Sequence, residues 1–243
     1  MFAGKAYLIL GAPSPSSLDL VKDLIAGVHP WDKMPSVFYP AGQASEIAKT
    51  GTEPELADFV SYQQWSELPP LSKDDTVFII AQGRENPPSQ IEAFKTWLQA
   101  SNVSIGRVFA LVDCALLEKS LELIPWFESC IHFADCVLLS NRQGVSSKWL
   151  NQFIKQFQQK KYPCHFEMLK EGRPVDNPAF LLHPEARRLS LIFDELDACD
   201  FLELDEDNLP EEPFDLSIPA DPYLVRLANG DYAIKLPDIN EFL

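Results

Sequence analysis

Short apolar runs alternate with amphipathic segments through the first two-thirds of this sequence, and this alternation restricts the fold more than any other feature. An apolar run bounded by turn residues and followed by a helical pattern is typical of a parallel sheet with helices on both faces. Seven runs are predicted as strands: Tyr7–Leu10, Ser36–Gly42, Ala57–Tyr62, Asp75–Gly83, Arg107–Cys114, Asp135–Ser140 and Cys164–Leu169. The predicted fold class is therefore α/β, with three layers and a mostly parallel sheet.

Apolar side chains that recur every three to four residues predict the helices between these strands. One helix starts at Pro15, another follows Gly83, a third covers Leu116–Phe127 with a kink at Pro125, and a fourth covers Ser147–Gln159. The fourth helix has an apolar stripe, which we interpret as core packing rather than a cofactor-binding surface. That stripe consists of Trp149, Leu150, Phe153, Ile154 and Phe157.

The sequence changes character after residue 172, so we divide it into an α/β domain over 1–172 and a C-terminal segment over 173–243. Gly172–Pro178 is predicted as a connector, and Pro184 as the start of a helix that reaches Ala198. The acidic, proline-containing stretch Asp200–Asp221 is typical of chain without regular structure. Asn229-Gly230 between alternating apolar residues predicts a β-hairpin over Tyr223–Leu236, expected to pack on the main domain.

Charge distribution argues against several classes of partner. The chain has 243 residues and a net charge of −16. Residues 190–243 hold 15 acidic and 2 basic side chains, whereas residues 1–189 hold 21 and 18. Without a basic stripe, binding to nucleic acid or to an anionic membrane is not expected. The sequence predicts neither a signal peptide nor a membrane span, and its five unevenly spaced cysteines favour reduced thiols in the cytoplasm.

The loop Gly11–Leu18 has the strand–loop–helix context of a phosphate-binding G-x-x-x-x-G-K-[ST] motif. Gly11 matches the first glycine, but the second glycine, the lysine and the magnesium-binding hydroxyl are replaced by Ser16, Ser17 and Leu18. Such a loop binds phosphate through backbone N–H groups, which Pro13 and Pro15 lack. The same residues are also typical of an ordinary helix N-terminus. Ser14 would be the N-cap, Pro15 would occupy the first helical position, and Ser16 and Asp19 would form a capping pair. A weak anion site at this helix start is the alternative.

Several further stretches match a known family in their serial order. Gly83 and Pro87 follow a buried strand in FIIAQGRENP, and Asp113 ends the strand ALVDC. Ala134 and Asp135 precede another buried strand, which is followed by Asn141-Arg142-Gln143. Over residues 5–170 the chain resembles the GTPase domain of the CobW-type family, P-loop GTPases that deliver metals to metalloproteins and cofactors. The resemblance implies a P-loop NTPase-like fold.

The residues that perform the family's chemistry are replaced. The family has an E-T-S-G-L-A-D-P segment after a buried strand, and its glutamate aligns with Ile80 in this chain. The family's N-E-F-G switch segment aligns with Tyr39-Pro40-Ala41-Gly42. The aspartate of N-K-x-D, which reads guanine, is missing, and C-x-C-C has no counterpart because no cysteine precedes Cys114. Phosphate binding, magnesium ligation, water positioning, guanine reading and metal capture each need their own residue type. Nucleotide turnover is therefore not expected.

Other candidate sites have simpler interpretations. The spacing of Cys130, His132, Cys136 and the pair Cys164-His165 fits no zinc motif, and we interpret these as buried residues. A reactive thiol at Cys114 would need a base or a cationic neighbour, which the sequence does not place nearby. Arg84, Glu85 and Asn86 are expected either in a solvated loop or beside a small polar ligand. The acidic run Glu203–Asp207 is interpreted as solvated.

The sequence therefore predicts a non-catalytic pseudo-GTPase that acts as an interaction or regulatory module, without a cofactor or a metal. Its partner is expected to be another protein or a second copy of the chain, bound through the acidic segment and the hairpin. The alternative is a nucleotide- or anion-binding protein whose vestigial site comprises Gly11, Ser14, Ser16, Ser17, Gly83 and Asn141. A third hypothesis is an unrelated enzyme built on Cys114 or Asp113.

Overall fold

A seven-stranded sheet, parallel throughout, organises the computed structural model, which describes residues 2–43, 56–170, 175–194 and 220–243. The strands are β1 (Lys5–Gly11), β2 (Ser36–Pro40), β3 (Asp58–Tyr62), β4 (Val77–Ile80), β5 (Ser104–Asp113), β6 (Cys136–Ser140) and β7 (His165–Met168). Their order in the sheet is β3-β2-β4-β1-β5-β6-β7. All seven strands predicted from the sequence are confirmed, with ends that differ by a few residues.

Strand β1 is the centre of this sheet. It pairs with β4 on one side, where Leu8 aligns with Ile79, and with β5 on the other, where Leu8 aligns with Val108. Every residue from 6 to 10 is buried. A strand that is apolar on both faces needs a layer of helices on each face, which explains the uninterrupted apolar run in the sequence.

The helices are α1 (Pro15–Ala26), α2 (Pro87–Ala100), α3 (Cys114–Lys119), α4 (Ile124–His132), α5 (Ser147–Gln159) and α6 (Pro178–Leu182). Helices α1 and α6 lie together, and Leu181 and Leu182 of α6 join the α1 side chains Leu24 and Ile25 in one core cluster. Helix α2 packs with α4. The predicted stripe of α5 is confirmed as core packing at Leu150, Phe153 and Phe157, which are buried.

The single helix predicted over Leu116–Phe127 is wrong. The chain forms α3, a 3₁₀ turn at Leu121–Leu123, and then α4. Pro125 does not kink a continuous helix; it lies in the first turn of α4, where a residue without an N–H loses no helical hydrogen bond.

The predicted helix from Pro184 to Ala198 is also wrong over its described part, residues 184–194; residues 195–198 lie outside the described part. The short helix α6 precedes it instead, and Asn177 caps α6 by accepting a hydrogen bond from Phe180 N at 3.2 Å. Beyond α6 the backbone is non-helical because Arg187 N donates to the Asp135 carboxylate at 2.7 Å rather than to a helical carbonyl.

The predicted hairpin forms only in part. Gly230 adopts φ +89° in the turn, and Leu227 N donates to Asp231 O at 2.8 Å. The only β-bridge among the described residues there pairs Arg226 with Tyr232. One further cross-strand hydrogen bond, from Ala233 N to Val225 O at 2.8 Å, extends this pairing, and the chain turns again just before it, where Leu224 N donates to Asp221 O.

The chain divides into two compact units, residues 1–189 with 236–243 and residues 190–235. Most of the acidic stretch Asp200–Asp221 lies outside the described residues, and the domain boundary at residue 172 stays a prediction. None of the described helices is long and apolar enough to cross a bilayer.

Candidate functional site

The candidate site lies at the carboxyl edge of the sheet, beyond β1. The chain leaves β1 toward β2 and leaves the neighbouring β5 toward β6, on the opposite side of the sheet. In open parallel sheets, ligands bind where the connections diverge in this way. The loop Gly11–Leu18 follows β1, residues 81–86 join β4 to α2, and Asn141 follows β6, so the topology brings the predicted site residues to this edge.

The loop after β1 bonds mainly to itself. Ser14 is the N-cap of α1, with φ −156° and ψ 140°, and its Oγ accepts a hydrogen bond from Ser16 N at 3.2 Å. The carbonyl oxygen of Ser14 accepts from Ser17 N at 3.2 Å and from Ser17 Oγ at 2.6 Å. The predicted cap at Ser14 and helix start at Pro15 are confirmed, whereas the suggested Ser16–Asp19 pair is replaced by these bonds to Ser14.

The two side chains at the lysine and magnesium positions of the motif are turned into the protein. Ser17 is 3% exposed and Leu18 is 4% exposed. Leu18 belongs to the core cluster beneath α1. These positions therefore contribute to helix packing and capping.

Gly83 brings the β4–α2 loop into contact with the loop after β1. A Cβ atom at Gly83 would lie 2.3 Å from Gly11 O and 2.7 Å from Pro13 N. Both distances are shorter than any ordinary contact, so only glycine allows the two backbones to approach in this way. The glycine that the sequence matched to a nucleotide-binding segment thus serves close packing between two loops.

A buried glutamine holds the β4–α2 loop in place, and sequence analysis missed it. Gln90, 2% exposed, accepts at Oε1 from Gln82 N at 2.9 Å and from Trp65 Nε1 at 3.0 Å. Its Nε2 donates to Glu85 Oε2 at 2.7 Å. Gln90 directly precedes the buried Ile91 on α2. A polar residue next to the apolar face of a predicted helix was the one sequence signal that could have identified it. Glu85 is thereby tied to the scaffold.

The side chains of Asn141, which follows β6, and Asp113, at the end of β5, form a hydrogen bond with each other. Asn141 Nδ2 donates to Asp113 Oδ2 at 2.6 Å, and Asp113 Oδ1 accepts from Leu116 N at 2.9 Å to cap α3. Asn141 has φ +47°, a conformation that asparagine tolerates better than most residues. The next residue, Arg142, donates from Nε and Nη2 to Leu169 O. The polar side chains here are bonded to the protein itself.

Cys114 lies beside Asp113 but has the properties of a core thiol. It is fully buried. Burial, and then the nearby Asp113 carboxylate, raise the pKa of the Cys114 thiol to about 12, although Arg142 opposes the rise. The thiolate is the nucleophilic form, so these surroundings disfavour the third hypothesis, an enzyme built on this cysteine. Cys130, Cys136 and Cys164 are also free and buried.

Alkylation of Cys114 by iodoacetamide is expected to be very slow in the native protein. With a pKa of about 12, roughly one thiol in ten thousand is ionised at pH 8. Because Cys114 has no exposed surface, it reacts only when the structure opens locally, so its native rate should be far below that of the urea-unfolded chain at the same pH. Mass spectrometry of the Cys114 peptide measures both rates, and a native rate equal to that of the unfolded chain would contradict the assignment.

Asp135, which the sequence matched to the same family, lies at the opposite, amino edge of the sheet. It is fully buried; its Oδ2 accepts from Val108 N at 2.8 Å, and its Oδ1 accepts from Arg187 N at 2.7 Å and from Arg188 Nη1 at 3.2 Å. Burial raises the pKa of Asp135, and Arg188 and the two backbone N–H groups oppose that rise. Asp135 therefore joins β5, β6 and the segment after α6.

The cysteine and histidine residues considered for zinc do not assemble into a site in the described structure. Among residues 2–43, 56–170, 175–194 and 220–243, no three His, Cys, Asp or Glu side chains group as metal ligands. Cys136 instead accepts a hydrogen bond from Arg107 Nη1 at 2.7 Å. His165 faces Glu167 at 3.2 Å.

Comparison with known proteins gives similarity in structure alone. No protein-family model matches the sequence, and no curated protein matches it significantly. Two solved structures that match are the Zn(II)-bound YjiA GTPase from E. coli, with a TM-score of 0.44, and a Zn(II)-bound triple mutant of YjiA GTPase, with a TM-score of 0.45. Each is 12% identical to this chain in sequence, and each match covers 74% of this chain.

The chain covers 61% of the length of each YjiA chain. The seven-stranded parallel sheet with its helices confirms the predicted α/β class.

Proposed function

We propose that this chain is a non-catalytic, P-loop-type α/β protein, a pseudo-GTPase that acts as an interaction or regulatory module. The main support is the hydrogen bonding of the loop after β1. The N–H groups of Ser16 and Ser17 bond to Ser14, and Pro13 and Pro15 have no N–H. A phosphate at this loop would have to replace bonds that already stabilise the start of α1.

The neighbouring loop adds a second argument. Backbone atoms of Gly83 lie in close contact with Gly11 and Pro13. The β4–α2 loop therefore packs directly against the loop after β1, and Gln90 fixes it there through several hydrogen bonds. We infer that the fold has been kept for its surface, with a protein or a second copy of the chain as the partner.

Saturating GTP or ATP with Mg²⁺ is expected to leave the melting temperature unchanged. A ligand at 100 times its Kd stabilises a folded protein by about 2.7 kcal/mol. For a domain of this size, that corresponds to a rise of roughly 5–10 °C. Differential scanning fluorimetry, with inorganic phosphate as a separate ligand, measures the shift directly.

The matched variant for this experiment is Ser16→Pro. It removes the backbone N–H at the second position of α1 and leaves every other residue of the loop unchanged. A nucleotide-dependent rise in melting temperature, or Mg²⁺-dependent hydrolysis, that Ser16→Pro abolishes would overturn the proposal. A shift with inorganic phosphate alone would favour the alternative, an anion site at the start of α1.

A further inference from the structure

The segment Leu236–Leu243, which we call the strap, belongs to the same compact unit as residues 1–189. Its centre is a 3₁₀ turn at Ile239–Glu241. Ile239 is 1% exposed, whereas its neighbours Asp238 and Asn240 are exposed. Ile239 is therefore the one fully buried side chain of the strap, while Leu236, Pro237 and Phe242 are half-buried.

The strap binds the β4–α2 loop through one side-chain amide. Arg84 Nη1 donates to Asn240 Oδ1 at 3.0 Å, and Asn240 Nδ2 donates to Arg84 O at 3.1 Å. Both functional atoms of the amide thus bond to the same residue. Arg84 directly follows Gly83, which lies against the loop after β1, so the strap occupies the carboxyl edge of the sheet beside the candidate site.

The turn in the strap is stabilised by its own residues. Asp238 Oδ1 accepts from Asn240 N at 3.0 Å and from Asn240 Nδ2 at 2.8 Å. The backbone N–H and then the side-chain amide of Asn240 hold the pKa of Asp238 below its usual range. An aspartate that caps the residue two positions later favours the turn locally. The turn is therefore favoured by residues of the strap itself.

We propose that the surface around Arg84 is a binding site for short peptide segments of the form Asp-apolar-Asn, and that the strap is its occupant within the chain. The occupying partner would be a protein segment presenting this triplet in the same turn. Release of the strap would break no strand pairing of the sheet, and the bonding groups of Arg84 and Asn240 are exposed to a competitor. This inference rests on the proposed function and names the docking site that the function requires.

The test uses the full-length chain and a fluorescein-labelled peptide of residues 234–243. Ile239→Asp should release the strap without altering Arg84, and fluorescence anisotropy should then show the peptide binding at least about tenfold more tightly than to the unsubstituted chain. Adding Arg84→Ala to Ile239→Asp should remove that gain. A peptide with Asn240→Ala should not bind.

Leu243→Asp is the matched control, because Leu243 is 49% exposed, and it should leave peptide affinity unchanged. If circular dichroism shows that Ile239→Asp is unfolded, Asn240→Ala in the full-length chain replaces it, since it removes exposed contacts alone. Equal affinity for the unsubstituted and strap-released chains, or binding that Arg84→Ala leaves intact, would overturn the peptide site. The nucleotide titration tests the proposed function separately, so the two failures are distinguishable.

Discussion

Replacing Asp135 by asparagine is expected to lower the free energy of unfolding by about 3 kcal/mol. The carboxylate accepts backbone N–H groups on both of its oxygens, from Val108 and from Arg187, and also bonds to Arg188. An asparagine side chain has one oxygen, so its NH₂ group would face one of the two N–H donors. The substitution would leave a buried donor without an acceptor and a buried guanidinium without its carboxylate.

Urea unfolding at neutral pH measures this loss as a lower midpoint at constant slope. The control is Asp58→Asn on the outer strand β3, where the side chain is exposed; it should change the free energy of unfolding by less than about 0.5 kcal/mol. A loss at Asp135 no larger than that at Asp58 would show that the amino edge of the sheet does not depend on this carboxylate.

Gly83→Ala is expected to cost about 2 kcal/mol of stability. The added methyl group would meet Gly11 O at 2.3 Å and Pro13 N at 2.7 Å, and both are backbone atoms of the loop after β1. Neither can move without displacing the end of β1 or the start of α1. The two loops must separate, which also loosens the hydrogen bonds of Ser14.

Gly42→Ala provides the comparison, because a Cβ there would have no atom of the described residues within 4 Å. Thermal unfolding of both variants gives the difference, and the amide shifts of Ser14 and Ser16 in NMR spectra report where the chain has moved. Should Gly83→Ala be as stable as Gly42→Ala, the close packing of the two loops would not be the reason for a glycine at this position.

The parts of the fold that the sequence predicted well are those in which a local pattern is sufficient. Continuous apolar runs placed the buried strands β1, β4, β5 and β6, and shorter, partly polar runs placed β2, β3 and β7. The apolar stripe of Ser147–Gln159 gave the observed bounds of α5. Ser14 and Pro15 marked the start of α1 because capping depends on residues that are adjacent in the chain.

The parts that failed depend on residues far apart in sequence. The stretch after Pro184 is compatible with a helix, but Arg187 N bonds to Asp135, a residue 52 positions earlier. No local signal reports such a contact. Similarly, the hairpin signal at Asn229-Gly230 predicted the turn but not the second turn at Asp221.

The candidate site shows the same division. The missing lysine and magnesium ligand were evident from Ser17 and Leu18, and their burial follows from the amphipathic pattern of α1. The roles of Gly83 and Gln90 were not accessible, because each acts through a partner loop that the sequence does not identify. Asn240 was missed for the same reason.

The position of β1 in the sheet also bears on how the chain reaches its native state. This strand is synthesised before both of its neighbours, β4, which starts at Val77, and β5, which starts at Ser104. Pairings between residues so distant along the chain form slowly and expose apolar strands in the meantime. During synthesis, the buried strand β1 must therefore stay unpaired until the chain has been made as far as β5, and protection by chaperones would matter most in that interval.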